Sequence, residues 1–304
     1  MGGQVTSPLT ALTSTVRFLD HTFTDWCYHH LRLFDYLIIY VDDPKELGSA
    51  RIPRVDARIE VSVGAQFKRG SVQNTLMHRQ DENALAAVRR CCELGIRWLC
   101  HLDADELLVT NESHLSWTSV DTDVGLIVFK NHEVCPVWEA DNPFRDCSYF
   151  KLSGRVPFCY YVNGKAAVRV NPNVRPWAAH WFVEHVGRVE TATWACVLHY
   201  SPATFERWLR KYRCLGPFGD HWYEDPTLPI MPFHTLSRDI CANEGKSNQI
   251  EAARRFFGEF VWSEERLAEG LRSGIIQQFA PLADLPETCS RRQWLDESPR
   301  IESV

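Results

Sequence analysis

The chain has 304 residues, enough for one large domain or two ordinary ones, and can bury a core without disulfide or metal support. Its formal net charge of −6, with no basic stripe on any predicted helix, excludes broad binding of a nucleic-acid polymer. A nucleotide handled as a small substrate remains compatible, and no apolar run approaches the about 20 residues that a transmembrane segment needs.

Eleven cysteines are an odd number, and none stands in a C-x-x-C pair, so a zinc or redox motif is not expected. The expectation is buried free thiols in a reducing compartment, hence a cytoplasmic protein. Met1-Gly2-Gly3-Gln4-Val5-Thr6 fits the loose pattern for N-myristoylation, but chance agreement with so short a pattern is the preferred reading. Eleven Trp and sixteen Phe are read first as core, although such rings also line sugar-binding platforms.

In chain order, Thr10–Leu19 is rich in β-branched and apolar residues and predicts a first strand. Thr24–Phe34 carries Trp26, Cys27, His30, Leu31 and Phe34 at helical spacing, with Thr22 or Thr24 as the cap. Tyr36–Val41 is the compact apolar run of a strand buried on both faces, ended by Asp42-Asp43-Pro44. Arg58–Val63 predicts a third strand and Gln80–Leu94 an amphipathic helix closed by Gly95. Ile96–Leu102 follows as a short buried strand, with Asp103-Ala104-Asp105-Glu106 at its carboxyl end; Val124–Phe129 is another strand. Strands are expected over Tyr160–Val170 and Thr193–Tyr200, and helices over Pro202–Tyr212, Asn248–Phe260 and Ser263–Leu271. Leu215–Pro232 is Pro/Gly-rich, and the polar residues from about Glu287 are expected to fray.

This alternation predicts an α/β layer architecture, and open α/β sheets place their crevices at the carboxyl ends of strands. Two carboxylates two residues apart at such a strand tip, Asp103 and Asp105, can converge on a hard divalent cation and leave positions open for phosphate oxygens. Mn²⁺ or Mg²⁺ suits that oxygen-rich set better than zinc. The bland alternative is a solvated turn with a capping Asp. Lys165 and Arg169, four apart on a predicted strand, point to one face and are candidates for neutralising a diphosphate. Their alternative is a pair of surface cations.

Several ordered blocks make the chain resemble the family 2-like glycosyltransferases of the GT-A fold, in the branch related to glycosyltransferase family 92. They are Asp25-Trp26-Cys27-Tyr28-His29-His30 with Tyr36–Asp43; Arg79-Gln80 with Trp98–Leu107; Asn163-Gly164-Lys165-Ala166-Ala167-Val168-Arg169; and Leu198-His199-Tyr200. The resemblance runs from about Val16 to Asp239. It implies a Rossmann-like, mixed and mainly parallel sheet flanked by helices, with a helical C-terminal extension. It further implies transfer of a sugar from a UDP- or GDP-sugar to a hydroxyl of a carbohydrate or other acceptor, with inversion as a family-level expectation. Asp103 and Asp105 match the metal-binding motif, and Arg79 and Gln80 fall in the donor-binding block. Asp42 falls where such enzymes contact base or ribose, its alternative being to cap the turn before Pro44. A later histidine would supply a third metal ligand, with His180 narrowly preferred over His199. Ala166 stands where a serine is common, removing a hydroxyl contact.

An inverting transfer also needs a base within reach of the acceptor hydroxyl, for which Glu184 and Asp141 are the candidates. Ser237-Arg238-Asp239 is expected to help close the donor site. Residues 1–212 are read as the nucleotide-sugar-binding and catalytic domain, and 213–304 as a closing segment, helices and tail packed on the same domain. A nucleotide-sugar-binding protein without turnover, and a metal phosphohydrolase, are the competing classes.

Overall fold

The computed structural model describes residues 9–49, 51–53, 56–66, 75–110, 117–242 and 249–284. The Met1–Thr6 pattern and the tail beyond Glu287 lie outside them. The first half runs β1 (Thr10–Val16), α1 (Thr22–His30), β2 (Tyr36–Val41), β3 (Ile59–Val63), α2 (Leu76–Leu94) and β4 (Trp98–His101). Then come β5 (Glu106–Thr110), β6 (Val124–Phe129), β7 (Asn131–Val134), α3 (Pro143–Asp146), β8 (Tyr149–Lys151) and β9 (Lys165–Arg169). Short strands β10 (Arg175–Trp177), β11 (Trp181–Val183) and β12 (Arg188–Thr191) precede β13 (Ala195–His199). The described residues continue through α4 (Phe205–Leu215), α5 (Pro232–Cys241), α6 (Gln249–Gly258), α7 (Glu264–Arg272) and β14 (Ile276–Gln278).

Among the described residues seven strands form the central sheet in the order β12-β6-β9-β4-β1-β2-β3, and only β9 runs against the others. The expected mixed, mainly parallel α/β architecture is therefore present. Within it, β3-β2-β1-β4 repeats the order of a mononucleotide-binding half, and the direction of winding reverses between β1 and β4. A second sheet, β14-β8-β7-β13-β5, is fed by chain crossings from β4 into β5 and from β6 into β7.

The apolar run of β2 has the predicted cause. Leu37, Ile39 and Val41 enter one core cluster, between the sheets and α1, while Ile38 and Tyr40 enter another beneath α2. A third cluster joins Phe205, Trp208 and Tyr212 of α4 to Phe233 of α5 and Phe257 of α6. Helix α4 runs across residue 212, so that position falls inside an element.

Several local expectations change. Strand β1 stops at Val16 because Phe18 takes φ 61°, outside strand geometry. Helix α1 is capped by neither threonine side chain; Asp20 accepts from the Thr22 amide and hydroxyl at 3.0 and 2.6 Å. The strand expected over Tyr160–Val170 begins only at Lys165. Upstream, the Cys159 and Tyr160 amides donate to the buried Glu133 carboxylate, so these donors are spent on a side chain rather than a neighbouring strand. Ser237 lies beneath α4, accepting from Trp208 Nε1 at 3.0 Å, and Arg238 ties to Phe218 and Asp220; neither lines the main cavity. The ten cysteines among the described residues are free thiols, and no described helix is long and apolar enough to cross a membrane.

The α1 block has a structural role. Trp26 Nε1 donates to the Glu106 carbonyl at 2.7 Å, and His29 Nε2 meets the Leu108 carbonyl at 2.7 Å. His30 Nδ1 meets the Trp26 carbonyl at 2.9 Å, while its Nε2 accepts from the Leu108 amide at 3.2 Å. These side chains satisfy the edge of β5 that β13 leaves open. The arrangement needs neutral rings, and burial lowers His29 to about 4 and His30 well below the ordinary range. Both rings regain a normal affinity for protons on unfolding. Their stabilising contribution is therefore complete above pH 6.5 and is lost as pH falls toward 4, by up to about 1.4 kcal/mol per pH unit for each ring. Thermal unfolding at pH 7, 6 and 5 should show a progressively lower midpoint; equal midpoints at pH 7 and 5 would contradict this account.

Candidate functional site

A cavity of about 800 Å³ opens at the carboxyl ends of β1, β2 and β4, where the winding reverses. Asp103 and Asp105 lie on the crossing from β4 to β5, so they stand between the two sheets rather than on a free turn. Both line this cavity, and their side chains keep about a quarter to a third of their surface exposed.

Asp103 accepts from Gln80 Nε2 at 2.7 Å and from Lys165 Nζ at 2.6 Å, one partner on each carboxylate oxygen. Its own amide donates to Glu106 Oε2 at 2.7 Å. Burial favours the protonated acid, but the Lys165 ammonium prevails and holds Asp103 well below the usual carboxylate range. Glu106 is fully buried, 3.5 Å from Lys165 Nζ, and takes the Tyr161 hydroxyl on its other oxygen. Burial, with the neighbouring Asp103 and Asp105 charges, pushes it up to about 8. Glu106 belongs to the site although its sequence position, at the start of a strand, carried no separate signal.

Lys165 is fully buried and also donates to the Ala179 carbonyl at 3.2 Å. Gly164 explains how the chain reaches it. It takes φ 72°, and a Cβ there would lie 2.2 Å from the Phe129 carbonyl oxygen. Ala178 and Ala179, both at φ 55°, hold a conformation rare for residues with a side chain, which marks this wall of the cavity as constrained.

Lys165 and Arg169 do not act together. Strand β9 is antiparallel to β4, so Lys165 arrives beyond the carboxyl end of β4 while Arg169 pairs with Trp98 at its start, about 13 Å along the strand. Arg169 donates to the Val124 and Asp121 carbonyls, covers the Trp98 ring and does not line the cavity.

Asp42 is buried between two guanidiniums, accepting from Arg79 Nε at 2.6 Å and Arg17 Nη1 at 2.8 Å. The turn before Pro44 is capped instead by Asp43, which accepts from the Lys45 amide at 3.0 Å. Arg79 and Gln80 thus both serve as braces from α2, one to Asp42 and one to Asp103.

Asp105 meets Lys211 Nζ at 3.3 Å, and its other oxygen is 3.9 Å from His199 Nε2. Burial opposes its charge, but the Lys211 ammonium keeps its affinity for protons below normal. His199 sits at the end of β13 opposite Glu106, lowered by burial to about 4 and therefore neutral, with a buried Nδ1 that finds no hydrogen-bond partner. His180 Nδ1 is 2.9 Å from the Gly164 carbonyl, and burial with the nearby Lys165 lowers the ring to about 3. Among the described residues no three His, Cys, Asp or Glu side chains form a ready metal cluster. The donor chemistry fits a divalent cation best at Asp105, with His199 beside it, since both oxygens of Asp103 are taken.

Neither base candidate reaches the cavity. Asp141 is exposed, with His21 3.7 Å away, and Glu184 is exposed at φ 59°. The carboxylates that do line it, Asp20, Asp42, Asp103 and Asp105, each pair with Arg or Lys. Arg207, Arg210 and Lys211 of α4, which no sequence signal marked as functional, also line the cavity.

No family model matches the chain. Two glycosyltransferase-like proteins of Arabidopsis thaliana are similar to it, one 27% identical over 246 residues and the other 28% identical over 245 residues. Each match covers 70% of this chain, and 46% and 52% of the respective relatives, so the chain spans about half the length of the curated relatives it matches. Among solved structures, a mannosyltransferase from Pyrobaculum calidifontis in complex with GDP-Man and Mn²⁺ superposes with TM-score 0.37 at 11% identity, over 89% of this chain and 80% of that one. A mannose-1-phosphate geranyltransferase from Thermus thermophilus does so with TM-score 0.27 at 11% identity, over 83% and 68%.

The buried ion network yields a direct test. Lys165→Met would leave the ionised Asp103 without its cation and should cost about 3 kcal/mol. Adding Asp103→Asn should return part of that loss. Urea denaturation of the single and double variants checks both; a loss below about 1 kcal/mol in the single variant would refute the role of Lys165.

Proposed function

We propose that the chain is a glycosyltransferase that takes a nucleotide-diphosphate sugar and passes the sugar to an acceptor hydroxyl with the help of a divalent cation. The observation that carries this reading is the placement of Asp103 and Asp105 at the reversal of the central sheet, on the wall of an 800 Å³ cavity. Similarity to the two glycosyltransferase-like proteins supports it.

In this reading Asp105 would hold Mn²⁺ or Mg²⁺ with His199 next to it, and Asp103 is fixed by Gln80 and Lys165 on the same cavity wall. The bound cation would offset charge developing on the leaving nucleoside diphosphate. The chain's own work is positional. Lys165 and Gln80 prevent Asp103 from rotating, and Arg17 and Arg79 do the same for Asp42.

One observation favours a binding protein without turnover. Among the described residues all four lining carboxylates are ion-paired, and both residues expected to supply the base, Glu184 and Asp141, lie outside the cavity. Turnover with a panel of acceptors separates the two readings. For the donor site itself, GDP or UDP with Mn²⁺ should stabilise the protein by about 2.7 kcal/mol at a free concentration one hundred times the Kd. Asp105→Ala should abolish the increment that Mn²⁺ adds, measured as thermal stabilisation with and without EDTA. An undiminished Mn²⁺ increment in that variant would overturn the assignment.

A further inference from the structure

The face of α4 opposite its apolar stripe is turned into the cavity. Phe205, Trp208 and Tyr212 pack into the third core cluster, and this leaves Arg207, Arg210 and Lys211 at i, i+3 and i+4 along the cavity wall. A helix on the surface would normally give such residues to water. Here they meet few counter-charges. Arg207 and Arg210 share the same Asp20 oxygen, at 2.8 and 3.4 Å. Lys211 is 3.3 Å from Asp105, a carboxylate that His199 also approaches.

The cations are nevertheless held in place. The Arg210 guanidinium lies 5.3 Å from the Phe18 ring centre, and Arg17 lies 5.7 Å from that ring. Lys211 rests 4.8 Å from the Tyr160 ring centre and donates to Ser201 Oγ at 3.1 Å. Rings and a hydroxyl orient these groups without cancelling their charge, so the wall keeps an excess of positive charge beside Asp105. That is the chemistry of a site for a compact polyanion.

We infer that the α4 face, with Arg210 as its main contact and Arg207 and Lys211 on either side, receives the diphosphate of the nucleotide donor. The inference rests on the proposed function for the identity of the ligand, and it moves the diphosphate-neutralising role from Arg169 to α4. Arg210 presents a planar fork suited to two phosphate oxygens, and its 3.4 Å contact to Asp20 is the weaker of the two that this carboxylate makes. Arg207 then retains Asp20, which also anchors the start of α1 through Thr22.

Calorimetric titration of inorganic pyrophosphate, GDP, UDP and the parent nucleosides separates this from other roles. Arg210→Gln should weaken pyrophosphate and the better-bound nucleoside diphosphate about tenfold or more, in Mn²⁺ and in EDTA alike, while nucleoside binding stays unchanged. Arg255→Ala, an exposed substitution on α6, should bind all ligands as the parent does. Unaltered diphosphate affinity in Arg210→Gln, with the parent protein binding normally, would overturn the α4 assignment and leave the proposed function standing. Equal loss of nucleoside and diphosphate binding would also overturn it. Failure of the parent protein to bind any nucleoside diphosphate would remove the proposed function, and this inference with it.

Discussion

A single buried ammonium, Lys165, makes the acidic strand tip tolerable. Asp103 and Glu106 stand where the chain leaves one sheet for the other, and Glu106 has no access to water. Burial of Glu106 is met by protonation, its pKa being pushed up to about 8, while the charge of Asp103 is met by Lys165. Lys165 lies 2.6 Å from one acid and 3.5 Å from the other, and the geometry that brings it there is specific. Strand β9 must run against β4, Gly164 must take a left-handed turn, and the Ala179 carbonyl must face inward to accept from the ammonium.

The rest of the cavity extends that logic of paired charge. Asp42 is neutralised by Arg79 and Arg17, Asp103 by Lys165, and Asp105 by Lys211. The strand tips are thus rigid before any ligand arrives, which reduces the ordering cost of binding. Asp42 illustrates the consequence. Both of its oxygens are engaged by guanidiniums, one of which, Arg17, lines the cavity beside it. Histidines around the site are kept neutral by burial, so they contribute shape and lone pairs rather than charge.

Much of the frame was legible from local pattern. The continuous apolar run of β2 announced burial on both faces, and Gly95 closed α2 in a left-handed conformation. Asp103 and Asp105 could be placed at a cavity because an apolar strand precedes them. Less was visible where a local pattern had a distant competitor. Tyr160 and Tyr161 look like strand residues, but Glu133 takes the Tyr160 amide and Asn131 takes the Tyr161 carbonyl. The block around Trp26, His29 and His30 read as a helix face, whereas its polar atoms bind the backbone of β5. Arg169 shows the limit of periodicity. Sharing a face with Lys165 said nothing of which end of β4 each would meet.

The sequence by itself determined the alternation of strands and helices and the position of two carboxylates at a strand tip, because those depend on near-neighbour propensity and side-chain period. It also placed a helix over Pro202–Tyr212, most of α4. Only the tertiary structure decided which charges compensate which, since ion pairs join residues such as Asp42 with Arg79 and Lys165 with Asp103 across tens of positions. It alone turned the basic face of α4 inward, because that orientation is set by where the apolar face finds its partners in α5 and α6.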